Sequence, residues 1–169
     1  MAGYFRNIFK TLNECGVRYL VVGGVAVNLY GVLRTTADLD IIVNLTEENI
    51  LLLVKALEKL GYKPKVPINI KEFADPEIRN RWIEEKGMKV LGVYPSDRQL
   101  GEIDIFVTEP FDFDEAYQKR IDFDVGDGII VPVVSLDDLI YLKKESARSQ
   151  DLADIEALEI LKGIQEKKK

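Results

Sequence analysis

Thr36-Ala37-Asp38-Leu39-Asp40-Ile41-Ile42-Val43 is the stretch that decides how the rest of this chain is read. Its alternation predicts a strand, with Asp38, Asp40 and Ile42 on one face and Leu39, Ile41 and Val43 on the other. Two residues along a strand advance about 6.6 Å and return the side chain to the same face. Two aspartates so placed reach toward a common point, where their oxygens suit Mg²⁺ or Mn²⁺. An isolated Asp-x-Asp is most often a pair of ordinary solvated acids, so the flanking sequence has to carry the distinction.

Upstream, Val17–Val22 reads as a buried strand that meets Gly23-Gly24 at a tight turn, followed by a short helix over Val25–Tyr30 that Gly31 stops. Glycines at a strand-to-helix turn let the backbone approach a ligand closely, and the N–H groups of the following helix suit a triphosphate. Downstream, Thr46 caps a helix with Glu47 and Glu48 in its first turn, an apolar stripe at Ile50, Leu53, Val54, Leu57 and Leu60, and Gly61 at its end. Further on, Gly101-Glu102-Ile103-Asp104-Ile105-Phe106-Val107 alternates again, so Glu102, Asp104 and Phe106 share a face. An acid within an apolar strand must be exposed, paired or metal-bound, because burial alone is costly. Asp104 is therefore the candidate third acid, and Glu102 a less favoured substitute.

The remaining periodicity supplies a helix through Phe5, Ile8, Phe9 and Leu12, and a short strand plus loop over 62–70. A helix over Glu77–Lys86 and a strand over Met88–Tyr94 follow, then a turn at Pro95-Ser96-Asp97-Arg98 and a short helix at Phe113–Gln118. Ile121–Val125 and Ile129–Val133 read as a hairpin around Gly126-Asp127-Gly128. Two helices close the chain, one capped by Ser135 and one beginning near Ser149, and the terminal lysines read as a frayed tail. The expected fold is α/β (α+β in the stricter sense): a mixed, largely antiparallel sheet with the carboxylates on one open face and helices on the other. A single domain is expected over 1–169, with the C-terminal helices, about 135–165, walling the cleft.

Composition narrows the chemistry. The 169 residues contain no histidine, which removes histidine bases, the usual zinc sites and every Ser-His-Asp or Cys-His arrangement. The formal charge is −6, from 29 acidic and 23 basic residues, so the chain lacks the overall basic character usual in nucleic-acid binders. The lone Cys15 fits a reducing compartment and reads as an inert, partly buried thiol. With no apolar run near the roughly 20 residues of a spanning helix, and no signal-peptide pattern at Met1–Arg6, a cytoplasmic location is expected and no membrane partner. Asp122-Phe123-Asp124 and Asp112-Phe113-Asp114 share the period-two spacing but read as solvated acids near turns, and Arg148 and Asp151 as a helix pair.

Val22-Gly23-Gly24, then Asp38-Leu39-Asp40, then Asp104 on a later strand together resemble the nucleotidyltransferase superfamily related to DNA polymerase beta. The form Arg34-Thr35-Thr36-Ala37-Asp38-Leu39-Asp40 is similar to that of small bacterial and archaeal members. Leu139–Lys143 and Arg148–Asp154 resemble the C-terminal helices of the AbiEii-type toxin and minimal nucleotidyltransferase branch. Lys143, Arg148, Asp151 and Asp154 match that branch, and Gln150 departs by replacing a second lysine.

The resemblance implies two divalent ions, Mg²⁺ or Mn²⁺, held by Asp38 and Asp40, with Asp104 contacting one of them and accepting the proton of an attacking hydroxyl. A nucleoside monophosphate would pass from a nucleoside triphosphate to that hydroxyl, with Gly23, Gly24 and Lys143 as the nucleotide contacts. For Lys143 the alternative is a solvated helix lysine; for Arg34 a surface or strand-end role is expected ahead of a contact with phosphate or substrate. The implied acceptors are a tRNA end, an aminoglycoside- or lincosamide-like small molecule, or a protein hydroxyl. The toxin branch adds a possible antitoxin partner, while net acidity weighs against tRNA. The rival reading is a non-catalytic nucleotide-binding module or partner subunit that kept the fold.

Overall fold

A computed structural model of the chain describes residues 2–97 and 101–169, with side chains from Phe5 onward. Seven strands form one sheet: β1 (Tyr19–Val22), β2 (Leu39–Val43), β3 (Tyr62–Pro64), β4 (Val90–Pro95), β5 (Ile103–Phe106), β6 (Ile121–Asp124) and β7 (Ile130–Val133). Their spatial order is β3-β4-β5-β2-β1-β7-β6. The pairs β1–β2, β3–β4, β4–β5 and β6–β7 run antiparallel, whereas β2–β5 and β1–β7 run parallel. The sheet is thus mixed and largely antiparallel, as expected.

The helices are α1 (Ala2–Glu14), α2 (Gly23–Leu29), α3 (Glu47–Leu60), α4 (Pro76–Lys86), α5 (Phe113–Lys119), α6 (Leu136–Ser146) and α7 (Ser149–Lys167), with a 3-10 turn at Ile70–Ala74. Their ends follow local chemistry. Thr46 accepts from the Asn49 N–H at 3.3 Å to cap α3, and Gly61 closes that helix in the left-handed conformation. Asp75 caps α4 just before Pro76, whose missing N–H costs nothing at a first helical position. Ser135 caps α6 through the Asp138 N–H at 3.1 Å.

Three details differ from expectation. Gly23 and Gly24 form no separate turn; they are the first residues of α2, which starts directly after β1. The final helix persists to Lys167, leaving little of the lysine tail outside it. Arg98, assigned to a turn, lies outside the described residues.

Every β1 residue is buried, because this central strand is covered on both faces. In β2 and β5 the faces divide: Leu39, Ile41, Ile103 and Ile105 are fully buried, while Asp40, Asp104 and Phe106 on the opposite face are partly exposed. The core extends from the buried face into α1 and α3 through Phe5, Ile8, Phe9, Leu12, Ile50 and Leu53. α2 packs on β1 and β2 and touches α6, which places the last two helices beside the acidic face. Among the described residues no helix is long and apolar enough to cross a membrane.

Candidate active site

Register makes the site. Val22 pairs with Asp40, Asp40 with Asp104, and Asp104 with Gly92, so these four residues form one row across β1, β2, β5 and β4. Directly paired residues point to the same face, and their Cβ atoms lie about 4.5–5.5 Å apart. The parallel pairing of β2 with β5 thus places two carboxylates side by side. Asp38, at the entrance to β2, lines the same cleft.

The glycines make room for these acids. Gly23 has φ +65°, and an ideal Cβ there would lie 2.1 Å from Asp40 Oδ2. Neither the backbone conformation nor the space admits a larger residue. A Cβ on Gly24 would meet Thr36 Oγ1 at 2.7 Å and Arg34 Cζ at 3.2 Å. At the far end of the row, Gly92 lets the Lys65 side chain cross the sheet, with Lys65 Cδ 2.9 Å from the ideal Cβ position. Lys65 there pairs with Glu102, which is thereby engaged apart from the aspartates.

Among the described residues, no group hydrogen-bonds or ion-pairs with the carboxylates of Asp38, Asp40 or Asp104. Burial pushes Asp40 up to about 6; Asp104 and, less strongly, Asp38 add to the rise, against the lowering effect of Lys143 and Arg148. Burial raises Asp104 too, opposed by Lys65. Adjacent acids whose burial outweighs the nearby cations mark a place where negative charge is gathered with only partial compensation. Among the described residues, no three acidic, histidine or cysteine side chains draw close enough to form a metal cage by themselves. That fits the habit of Mg²⁺, which takes one or two carboxylates and completes its shell with water and substrate phosphates.

Opposite the acids stands a cluster of charges from α6 and α7. Lys143 is only 5% exposed and donates to Asp151 at 3.0 Å and Asp154 at 2.9 Å. Arg34 also pairs with Asp154, and Arg148 Nε reaches Asp151 at 3.1 Å. Burial acts to raise Asp151, but hydrogen bonds from Lys143, Ser146 and Arg148 outweigh it and hold the carboxyl well below the usual range. The solvated-lysine alternative for Lys143 is therefore overturned, because two buried carboxylates on α7 hold its ammonium. Arg34 is likewise no surface residue: its partner is almost fully buried and it lines the cleft. The expected Arg148–Asp151 pair is present. Between the acids and this cluster runs a cleft of about 330 Å³, lined by Gly23, Gly24, Asp38, Asp40, Asp104 and Lys143, which also bring in Thr36, Arg148 and Gln150.

A family model described as nucleotidyltransferase of unknown function (DUF6036) matches residues 5–167. The chain belongs to this nucleotidyltransferase family. No curated protein matches it significantly. Among solved structures, the nucleotidyltransferase is similar to the lincosamide antibiotic adenylyltransferase LnuA in its lincomycin-bound form. That match has a TM-score of 0.62 and 16% identity, over 94% of this chain and 96% of the other. It is also similar to ANT(2")-Ia in complex with adenylyl-2"-tobramycin, with a TM-score of 0.55 and 16% identity over 99% and 97% of the two chains. A third likeness is to an antigenic nucleotidyltransferase-like protein from Paracoccidioides brasiliensis, with a TM-score of 0.56 and 16% identity over 89% and 71%. At these identities the likeness is one of fold.

All six residues expected at the site line one cleft. Thr36, Gln150 and the half-buried Arg34, paired with Asp154, add to the six residues expected at the site, as do Lys65 and Gly92 beside Asp104. Arg34 and Thr36 lie within the quoted motif, but Lys65 and Gly92 meet only through cross-strand pairing, for which the sequence carries no local signal.

Proposed function

We propose that this nucleotidyltransferase moves a nucleoside monophosphate from a nucleoside triphosphate to a hydroxyl acceptor, with Asp38, Asp40 and Asp104 as its catalytic carboxylates. The observation that carries the reading is the in-register Asp40–Asp104 pair under Gly23, with no cation in ion-pair reach among the described residues. Acids on one sheet face with raised pKa values have an unmet demand for positive charge, and the all-oxygen donor set suits Mg²⁺ or Mn²⁺. Asp38, Asp40 and Asp104 are the residues that would hold it. Bound there, a divalent cation supplies Lewis-acid charge to the phosphate oxygens.

The chain's own groups account for the rest. Gly23 and Gly24, lacking side chains, leave the mouth of the cleft open to phosphates, and Arg148, whose side chain is largely exposed, offers them a cation. Lys143, fixed by Asp151 and Asp154, adds positive potential at the cleft wall and contributes to nucleotide binding. Asp104 takes the acceptor hydroxyl's proton as the acceptor oxygen bonds to the α-phosphorus. The α-phosphorus bond to the bridging oxygen then breaks and pyrophosphate leaves.

The structural neighbours named for lincosamide and for adenylyl-tobramycin support a hydroxyl-bearing acceptor in general. A toxin–antitoxin role, with an antitoxin partner, rests on the match at Lys143, Arg148, Asp151 and Asp154 alone, and a cytoplasmic location on composition. The test is incubation with each α-labelled triphosphate, Mg²⁺ and a cell extract. Label should pass to an acceptor with the wild type and not with Asp40→Ala. Nucleotide binding indifferent to Mg²⁺ and to Asp38→Ala would sink the assignment and favour the non-catalytic module.

A further inference from the structure

A second and larger hollow, about 740 Å³, opens on the other side of the same acids. It shares Asp40, Asp104 and Arg148 with the nucleotide cleft, so a molecule seated in it would face the reacting centre directly. Its character is different. Phe106, two residues beyond Asp104 on the same face of β5, pairs in register with Val90 of β4 and gives the hollow an apolar floor. α6 forms its wall with Tyr141 and Glu145, four residues apart and hence on one side of the helix. Tyr141 is 48% exposed, and Glu145 is exposed as well. Among the described residues neither makes a hydrogen bond or ion pair.

Resting on the nucleotidyl-transfer reading, we infer that this hollow is the acceptor site, and that it takes a small hydroxyl-bearing amine with an apolar ring or short aliphatic body. A flat apolar floor favours a ring or hydrocarbon face over a charged backbone. An aromatic ring beside an unpaired carboxylate is a receptor for an ammonium group, through cation–π attraction and ion pairing together. With Asp40 and Asp104 engaged by the divalent cation, Glu145 is the lining carboxylate left to meet a cationic group, and Tyr141 stands one helical turn from it. The volume lies in the range of roughly 300–1,000 Å³ typical of small-molecule sites, so a whole small molecule fits.

The test uses the full chain, each α-labelled nucleoside triphosphate with Mg²⁺, and three acceptor pools: the amine fraction of a small-molecule filtrate retained on cation exchanger, its flow-through, and total RNA. Label should enter the retained amine fraction. Tyr141→Ala and Glu145→Gln, both at exposed positions, should raise the KM for that fraction by about tenfold each, as loss of one cation contact implies. The KM for the nucleotide should stay within about twofold of wild type. Label confined to RNA or to the flow-through, or unchanged amine KM in both variants, would overturn the inference while leaving nucleotidyl transfer standing. If the wild type binds no Mg²⁺-nucleotide at all, the nucleotidyl-transfer reading itself fails, and this inference with it.

Discussion

Gly23 and Asp40 occupy almost the same space: an ideal Cβ on the glycine would sit 2.1 Å from the aspartate's Oδ2. The strand-to-helix junction and the central acid are therefore one structural unit, although sixteen residues separate them in sequence.

Gly23→Ala should act on stability and activity together. The left-handed backbone alone costs a residue with a Cβ about 1–2 kcal/mol, and displacing Asp40 should lower transfer roughly 100-fold or more. Gly16→Ala is the control, since Gly16 also has positive φ but nothing within 4 Å of its Cβ position. Urea denaturation should show a loss of stability in both variants, and labelled-nucleotide transfer a loss only in Gly23→Ala.

Asp40 should be a liability to the cation-free protein. Its folded pKa of about 6 lies above the unfolded value of about 3.9, so between those values the native state holds the extra proton. Stability then falls as pH rises through that window, and at pH 7 the charged Asp40 costs at most about 3 kcal/mol. Asp40→Asn should consequently melt higher than wild type at pH 7 without metal while losing transfer. Equal or lower melting of the variant under those conditions contradicts the burial argument.

The charge that destabilises the cation-free protein should draw cations to Asp40 and Asp104. Saturating Mg²⁺ should raise the wild-type melting temperature, equivalent to about 2.7 kcal/mol at a hundredfold excess over Kd, and leave Asp40→Asn almost unmoved. Below about pH 6, where protons compete for Asp40, cation affinity should weaken by up to about tenfold per pH unit. Calorimetric titration at two pH values checks the direction.

The cluster behind the cleft predicts a different kind of damage. Asp154 is 3% exposed and answers both Lys143 and Arg34, so Asp154→Ala leaves Arg34 without its carboxylate and Lys143 with Asp151 alone. Removing one partner from a buried ion cluster costs about 3–5 kcal/mol. Chemical denaturation should show a loss of that order. A loss below about 1 kcal/mol, the range of surface pairs, contradicts the description of this cluster as buried and coupled.

Much of this arrangement is legible in the chain. Period-two alternation around Asp40 and Asp104 places both acids on the partly open face of their strands, because the apolar residues between them must be buried and a one-residue slip would reverse both faces. Thr46, Gly61 and Ser135 mark helix ends through local bonds, so their signals survive without tertiary information. The helix at Gly23-Gly24 is not legible, since two glycines are poor helix formers and only packing over Asp40 requires them there. Lys143 reads as a solvated or phosphate-facing lysine until α7 folds back and brings Asp151 and Asp154 against it. The path of Lys65 over Gly92 depends on the β3–β4–β5 register, which hydrophobic patterning does not specify.

The most direct test is anomalous diffraction from crystals grown with Mn²⁺ and a non-hydrolysable nucleoside triphosphate analogue. The predicted result is a manganese peak within coordination distance of both Asp40 and Asp104, with the triphosphate lying against Gly23 and Gly24. A fully bound nucleotide whose metal contacts neither aspartate, or an anomalous map with no peak at this pair, would contradict it.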